Sequence, residues 1–200
     1  MIDENRFNLI RSKHGGYASW AVWSPPTDRP KSNMGDLSVL DVRTDPCLLD
    51  ALNPSVVMAG LNVSGRTLSA PFANFHDPSP AANDFKIRFA FSDTDYWGAY
   101  MTDVIKDYPM LDSRDVLDDI RKRPALVERN IAALREEFFD LDQPKPVVLA
   151  FGHAAHALLA QYLDPSAYSV LVRLTHYAHY ISKENYRTTV LAQVLSTVIG

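Results

Sequence analysis

Residues 56–67 read VVMAGLNVSGRT, an apolar run that stops at Gly60-Leu61-Asn62-Val63-Ser64. A parallel strand covered on both faces reads as such a near-continuous apolar run. Small and polar residues at its end put backbone N–H groups and an amide side chain at the carboxyl edge of a sheet, where open α/β folds bind ligands. A candidate active site therefore begins at Gly60, Leu61, Asn62 and Ser64.

Working outward, similar apolar runs recur at Ala99–Ile105, Val147–Phe151 and Tyr168–Leu174. Helix-like stretches separate or follow them: Asn83–Phe91, Ser113–Ile120, Pro124–Phe139 with Pro in the first turn, His153–Tyr162 and Ser182–Ile199. Strands alternating with helices of this length predict an α/β fold, a three-layer α/β/α sandwich with a central four-stranded parallel sheet and right-handed crossovers. Residues 1–50 read as an N-terminal extension packed on a 55–200 core, with a strand over Tyr17–Trp23, a Pro-rich surface loop PPTDRPKSNMGD and a second short strand over Leu37–Val42. Trp20 and Trp23 are expected to pack that extension on the sheet.

With 200 residues, 46% of them hydrophobic, the chain suits a single domain with a sizeable core. Its formal charge of −4 gives no global attraction to nucleic acid or an anionic membrane, so any contact with DNA must be local. Cys47 is the only cysteine, which rules out an intrachain disulfide and a Cys-based zinc site. The polar N-terminus does not read as a secretory signal, and no stretch approaches the roughly 18 apolar residues of a membrane span. The expectation is a cytoplasmic protein with no membrane partner and no cofactor.

Residues just past each strand end converge in a parallel sheet: Asn62 and Ser64, Asp103, Gly152 and His153, then Thr175 and His176. Each of these is, taken singly, also an ordinary helix cap or solvated turn. The long loop over 64–84 carries Phe72, Phe75 and His76. A loop of that length is more often functional than idle, and its aromatics either stack on a ligand ring or pin the loop to the core.

The order GLNVS, a loop with aromatics, YMTDVIK at a second strand, FGHAAHALL after a third and a His-containing loop after the fourth resembles the uracil-DNA glycosylase superfamily over residues 55–190. The resemblance implies a DNA-repair hydrolase, a glycosidase that cleaves the N-glycosidic bond of a damaged or deaminated base in DNA. By that resemblance Asn62 positions water or stabilises charge at the sugar, and Phe75, or secondarily Phe72, stacks on the flipped base. Asp103 stands where the family reads the base edge, and His176 corresponds to the histidine of the last motif. His76, Thr175 and His179 are the further substrate-binding candidates.

Two departures mark this chain. In place of the family's base-reading Asn stands Asp103, and an ionised carboxylate accepts but cannot donate, which disfavours uracil and suits an edge presenting an amine, unless Asp103 has a catalytic or structural role instead. The family's His-Pro-Ser is His176-Tyr177-Ala178. Tyr177 or Tyr180 would have to take over the wedge formed by the missing Pro and Ser.

The chemistry leaves other readings open. His153-x-x-His156 and His176-x-x-His179 have a spacing compatible with a metal site near Asp103. A nucleotide-binding or hydrolytic protein without glycosylase activity is the main alternative, although no G-x-x-x-x-G-K-[ST] occurs. Arg66, Lys86, Arg88, Lys106, Arg173, Lys183 and Arg187 form a candidate basic rim for a DNA or nucleotide partner, whereas Arg121-Lys122-Arg123 reads as a solvated face. Tyr177, Tyr180 and Tyr186 read either as an aromatic patch or as packing residues.

Overall fold

The sheet has five strands: β1 (Ser19–Trp20), β2 (Asn53–Asn62), β3 (Ala99–Ile105), β4 (Val147–Phe151) and β5 (Val170–Leu174). They lie in the order β1-β3-β2-β4-β5 in a computed structural model that describes residues 2–63, 68–108, 119–120 and 122–198. The last four strands are mutually parallel, and β1 is an antiparallel edge on β3. The expected four-stranded sheet is thus corrected to five. The run over 17–23 supplies the extra strand, because Trp20 is fully buried and only Ser19 and Trp20 pair with Met101 and Tyr100.

Among the described residues six helices have defined bounds: α1 (Glu4–His14), α2 (Leu48–Ala51), α3 (Phe85–Phe91), α4 (Pro124–Asp140), α5 (Gly152–Tyr162) and α6 (Lys183–Val198). The helix expected over 113–120 lies outside the described residues except for Asp119 and Ile120. The strand expected over Leu37–Val42 is instead a 3-10 turn, Ser38–Leu40. Asp36 fixes it, its Oδ1 accepting both the Ser38 N–H at 3.0 Å and the Ser38 hydroxyl at 2.7 Å.

Alternation along β2 explains the layers. Val57, Ala59 and Leu61 pack with α1, α4 and α5, while Val56 and Met58 pack with α3 and α6. α1 brings only Phe7 and Ile10 as fully buried apolar residues, and its start is fixed by Asp3, whose side chain accepts the Arg6 N–H. Because α3 follows β2 on one face and α5 follows β4 on the other, the neighbouring carboxyl ends of β2 and β4 form a topological switch point, the place where open sheets leave a crevice. No helix among the described residues is long and apolar enough to cross a membrane.

Candidate functional site

Gly60 and Asp103 are register partners on β2 and β3, on the α3–α6 side of the sheet. A Cβ at Gly60 would run into Asp103 Oδ1 and come within 3.4 Å of the Phe75 ring. Glycine here makes the room that a buried carboxyl and an aromatic ring share.

Asp103 is 4% exposed, and burial pushes its carboxyl up to about 7, more than Asn74 and Lys106 pull it down; Glu137 and Asp84 add to the rise. Asn74 holds it directly: Nδ2 donates to Asp103 Oδ2 at 2.9 Å and to the Tyr17 carbonyl at 2.6 Å. Lys106 Nζ donates to the Asp103 carbonyl at 2.7 Å and lies 2.8 Å from Oε1 of the fully buried Glu137, whose Oε2 accepts the Tyr100 hydroxyl. The carboxyl taken as ionised from sequence therefore keeps its proton to a much higher pH than a surface carboxyl, and a neutral carboxyl both donates and accepts. Burial rather than residue type alone thus sets the charge that this group presents.

Phe75 reaches the site from a strained loop. Phe72 and Phe75 both have left-handed backbones, φ 67° and 62°, a conformation that bulky residues adopt only under constraint. The N-terminal extension supplies the constraint. The Phe72 N–H donates to Gly15 O at 2.8 Å, the Ser19 hydroxyl to Phe72 O at 2.8 Å and the Trp23 indole to Phe75 O at 3.2 Å. Phe72 turns into the core against Phe7, with ring centroids 5.5 Å apart, and is not part of the cleft lining.

His176 follows β5. Its Nδ1 accepts the Ala178 N–H at 3.1 Å, which in the neutral ring leaves the proton on Nε2. Burial holds its pKa below the usual range, favouring that neutral donor. The ring stacks on Tyr177 at 4.4 Å, and Tyr177 in turn packs edge-on against Phe151. Gly152, at φ 88°, backs the imidazole: a Cβ there would be 3.3 Å from its Cδ2.

These groups share one cleft of about 420 Å³, whose lining includes Asn62, Phe75, Asp103 and His176. Asn62 Nδ2 donates to Val63 O at 3.2 Å. Sequence reasoning missed Asn74 and Asp84 in the same lining, which also includes Tyr177. Asn74 was legible only as the neighbour of Phe75, and its partner 29 residues away carries no local signal. Leu61 faces the opposite core. His76 is buried outside the cleft, 5.2 Å from the Trp23 ring with Nε2 3.3 Å from Trp20 O. Thr175 and His179 border an adjoining hollow of about 290 Å³ with His153 and Arg173, which His176 also lines. Ser64 lies outside the described residues.

The candidate basic rim is largely turned inward. Lys106 pairs with Glu137, Lys86 donates to His179 O, Arg88 to Ser24, Ser32 and Pro30 carbonyls, and Arg187 to Phe89 and Ser92 carbonyls. Arg173 is exposed, and Arg66 lies outside the described residues. Of the tyrosines, Tyr186 is core, Tyr180 is fully exposed and Tyr177 lines the cleft. Among the described residues no group of three or more His, Cys, Asp or Glu side chains could hold a metal ion, so the two His pairs assemble no metal centre there.

The fold and site together define a mostly parallel α/β protein with a polar cleft at the carboxyl edge of its sheet. No protein-family model matches this chain, and no curated protein matches it.

Proposed function

We propose that the strand-end cleft excises a damaged or deaminated base from DNA, as a divergent protein of the uracil-DNA glycosylase type. The observation that carries the reading is the meeting of Asn62, Phe75, Asp103 and His176, drawn from four separate segments, around a single cleft of about 420 Å³. The motif order in the sequence supports it independently.

Cleaving an N-glycosidic bond leaves positive charge on the sugar and sends the bonding electron pair off with the base. Water adds to the sugar carbon, its hydroxyl staying there and its proton passing, through solvent, to the departing base, so that the products are a sugar hydroxyl and a neutral free base. Two groups answer these needs: Asn62 orients the water, and His176 offers the Nε2–H as a neutral donor to the charge building on the base. Phe75 stacks on the flipped ring, and Asp103 reads its edge. Below about pH 7 the Asp103 carboxyl carries its proton and donates to a ring carbonyl. Above that pH it only accepts and favours an exocyclic amine.

The test is abasic-site formation at pH 7 on single- and double-stranded oligonucleotides carrying uracil, hypoxanthine, xanthine or mismatched bases. Excision by the wild type, reduced about 100-fold or more in Asn62→Ala, is expected. A folded wild-type protein that cleaves none of these substrates would overturn the excision reading, and stabilisation by mononucleotides that Asn62→Ala abolishes would then assign nucleotide binding to this cleft.

A further inference from the structure

A second cavity, of about 630 Å³, opens between the Pro-rich loop, α3 and the start of α6. Its volume lies in the range of small-molecule sites. Four aromatic side chains, Trp23, Phe85, Phe89 and Trp97, line it, and Trp23 and Trp97 meet edge-on with centroids 5.7 Å apart. Walls of this kind take a flat ring.

Arg88 adds the independent observation. It lines the same cavity and is 4% exposed. Its Nη1 donates to Ser24 O at 2.7 Å and Ser32 O at 2.9 Å, and its Nη2 to Pro30 O at 2.7 Å. Those carbonyls tie the Pro-rich loop down but carry no countercharge, and no carboxylate among the described residues forms an ion pair with Arg88. A guanidinium has five N–H donors, so two have no acceptor among the described residues. Buried charges are ordinarily paired, and burial alone pulls this one's pKa down. Asp28 and Asp93 also border the cavity without pairing with Arg88, while Lys183 lies over the Phe89 ring at 3.7 Å as a second cation.

We propose that this cavity binds a flat aromatic anion, its ring among Trp23, Phe85, Phe89 and Trp97 and its carboxylate or phosphate at Arg88. The site is separate from the strand-end cleft and does not depend on the excision reading. Two sources share the chemistry, an aryl carboxylate and a mononucleotide.

Calorimetric titration of the full chain with 2-naphthoate, neutral 2-naphthylmethanol and 5′-dAMP tests it. At least tenfold tighter binding of one or both anions than of the alcohol is expected, with the better anion identifying the source. Phe89→Ala should weaken that binding at least tenfold, and Asn62→Ala should leave it unchanged. Arg88→Gln, where the variant folds, should abolish the preference for the anion. Should Arg88→Gln fail to fold, Phe89→Ala and the anion-to-alcohol ratio still decide. Equal binding of alcohol and anion, no binding of either anion, insensitivity to Phe89→Ala or a preference that survives in folded Arg88→Gln would each overturn the proposal.

Discussion

The strand-end cleft and the Pro-rich-loop cavity bury opposite charges in opposite ways. Asp103 sits in a polar cleft of about 420 Å³, answers burial by shifting toward neutrality and is held by an amide and a nearby ammonium. Arg88 sits in an aromatic cavity of about 630 Å³ and remains a cation among carbonyls. A carboxyl can give up its charge within the physiological range and become a different hydrogen-bonding group, whereas a guanidinium cannot. The first environment suits chemistry and edge reading, the second suits holding an anion. Cavity size alone would have pointed to the second and missed the cleft where the strand ends meet.

The largest expected effect lies beneath the cleft. Lys106→Met leaves the fully buried Glu137 with only the Tyr100 hydroxyl, and removing one partner of a buried ion pair costs about 3–5 kcal/mol. Urea unfolding measures it, and a loss below about 1 kcal/mol would mean that the Lys106–Glu137 contact does not support the fold. Next is the pH dependence set by Asp103. Its folded pKa is raised, so the native state binds the proton more tightly than the unfolded chain, and stability falls as pH rises from the ordinary carboxyl range to about 7. Asp103→Asn should remove that fall and gain stability at pH 8 relative to pH 4, by at most about 4 kcal/mol. Parallel stability–pH curves for wild type and variant would show that Asp103 is not strained by burial.

Smaller changes probe the cradle itself. Gly60→Ala drives a methyl group into the Asp103 carboxyl and toward Phe75, an overpacking worth about 1–3 kcal/mol. The same variant should lose excision disproportionately to stability, and full retention of activity would detach Asp103 from the reaction. Gly152→Ala forces an L side chain into φ 88° and nudges the His176 ring. A thermal shift corresponding to about 1 kcal/mol and a rate reduction under tenfold are expected. A rate unchanged within error would show that the imidazole has slack.

Much of the frame was legible before any coordinates. The apolar runs at 56–61, 99–105 and 147–151 fall within strands, and Pro124 starts a helix at the residue where its missing N–H is harmless. Such elements declare themselves through local pattern. α1 did not, because a helix that contributes only Phe7 and Ile10 as fully buried apolar residues has little periodic signal. β1 is two residues long, and its pairing with β3 is a tertiary fact. Asn62, Phe75, Asp103 and His176 could be proposed from their positions after strands or in the long loop. The resemblance ranked Phe75 ahead of Phe72, but the physical reason was not legible: left-handed φ values, the Phe72 N–H donating to Gly15 O, and Ser19 and Trp23 donating to the Phe72 and Phe75 carbonyls fix which ring lines the cleft. The raised pKa of Asp103, the Lys106–Glu137 ion pair and the inward hydrogen bonds of Arg88 and Lys86 to carbonyls are tertiary consequences that residue type alone does not reveal.

One measurement tests the central claim most directly: single-turnover base excision at pH 6 and pH 8 by wild type and Asp103→Asn, on single-stranded DNA carrying uracil or an amine-bearing base. The account predicts wild-type excision of uracil that is faster at pH 6 than at pH 8, a preference moving toward the amine-bearing base at pH 8, and a ratio in Asp103→Asn that no longer changes with pH. Excision by neither protein at either pH, both being folded, would contradict it.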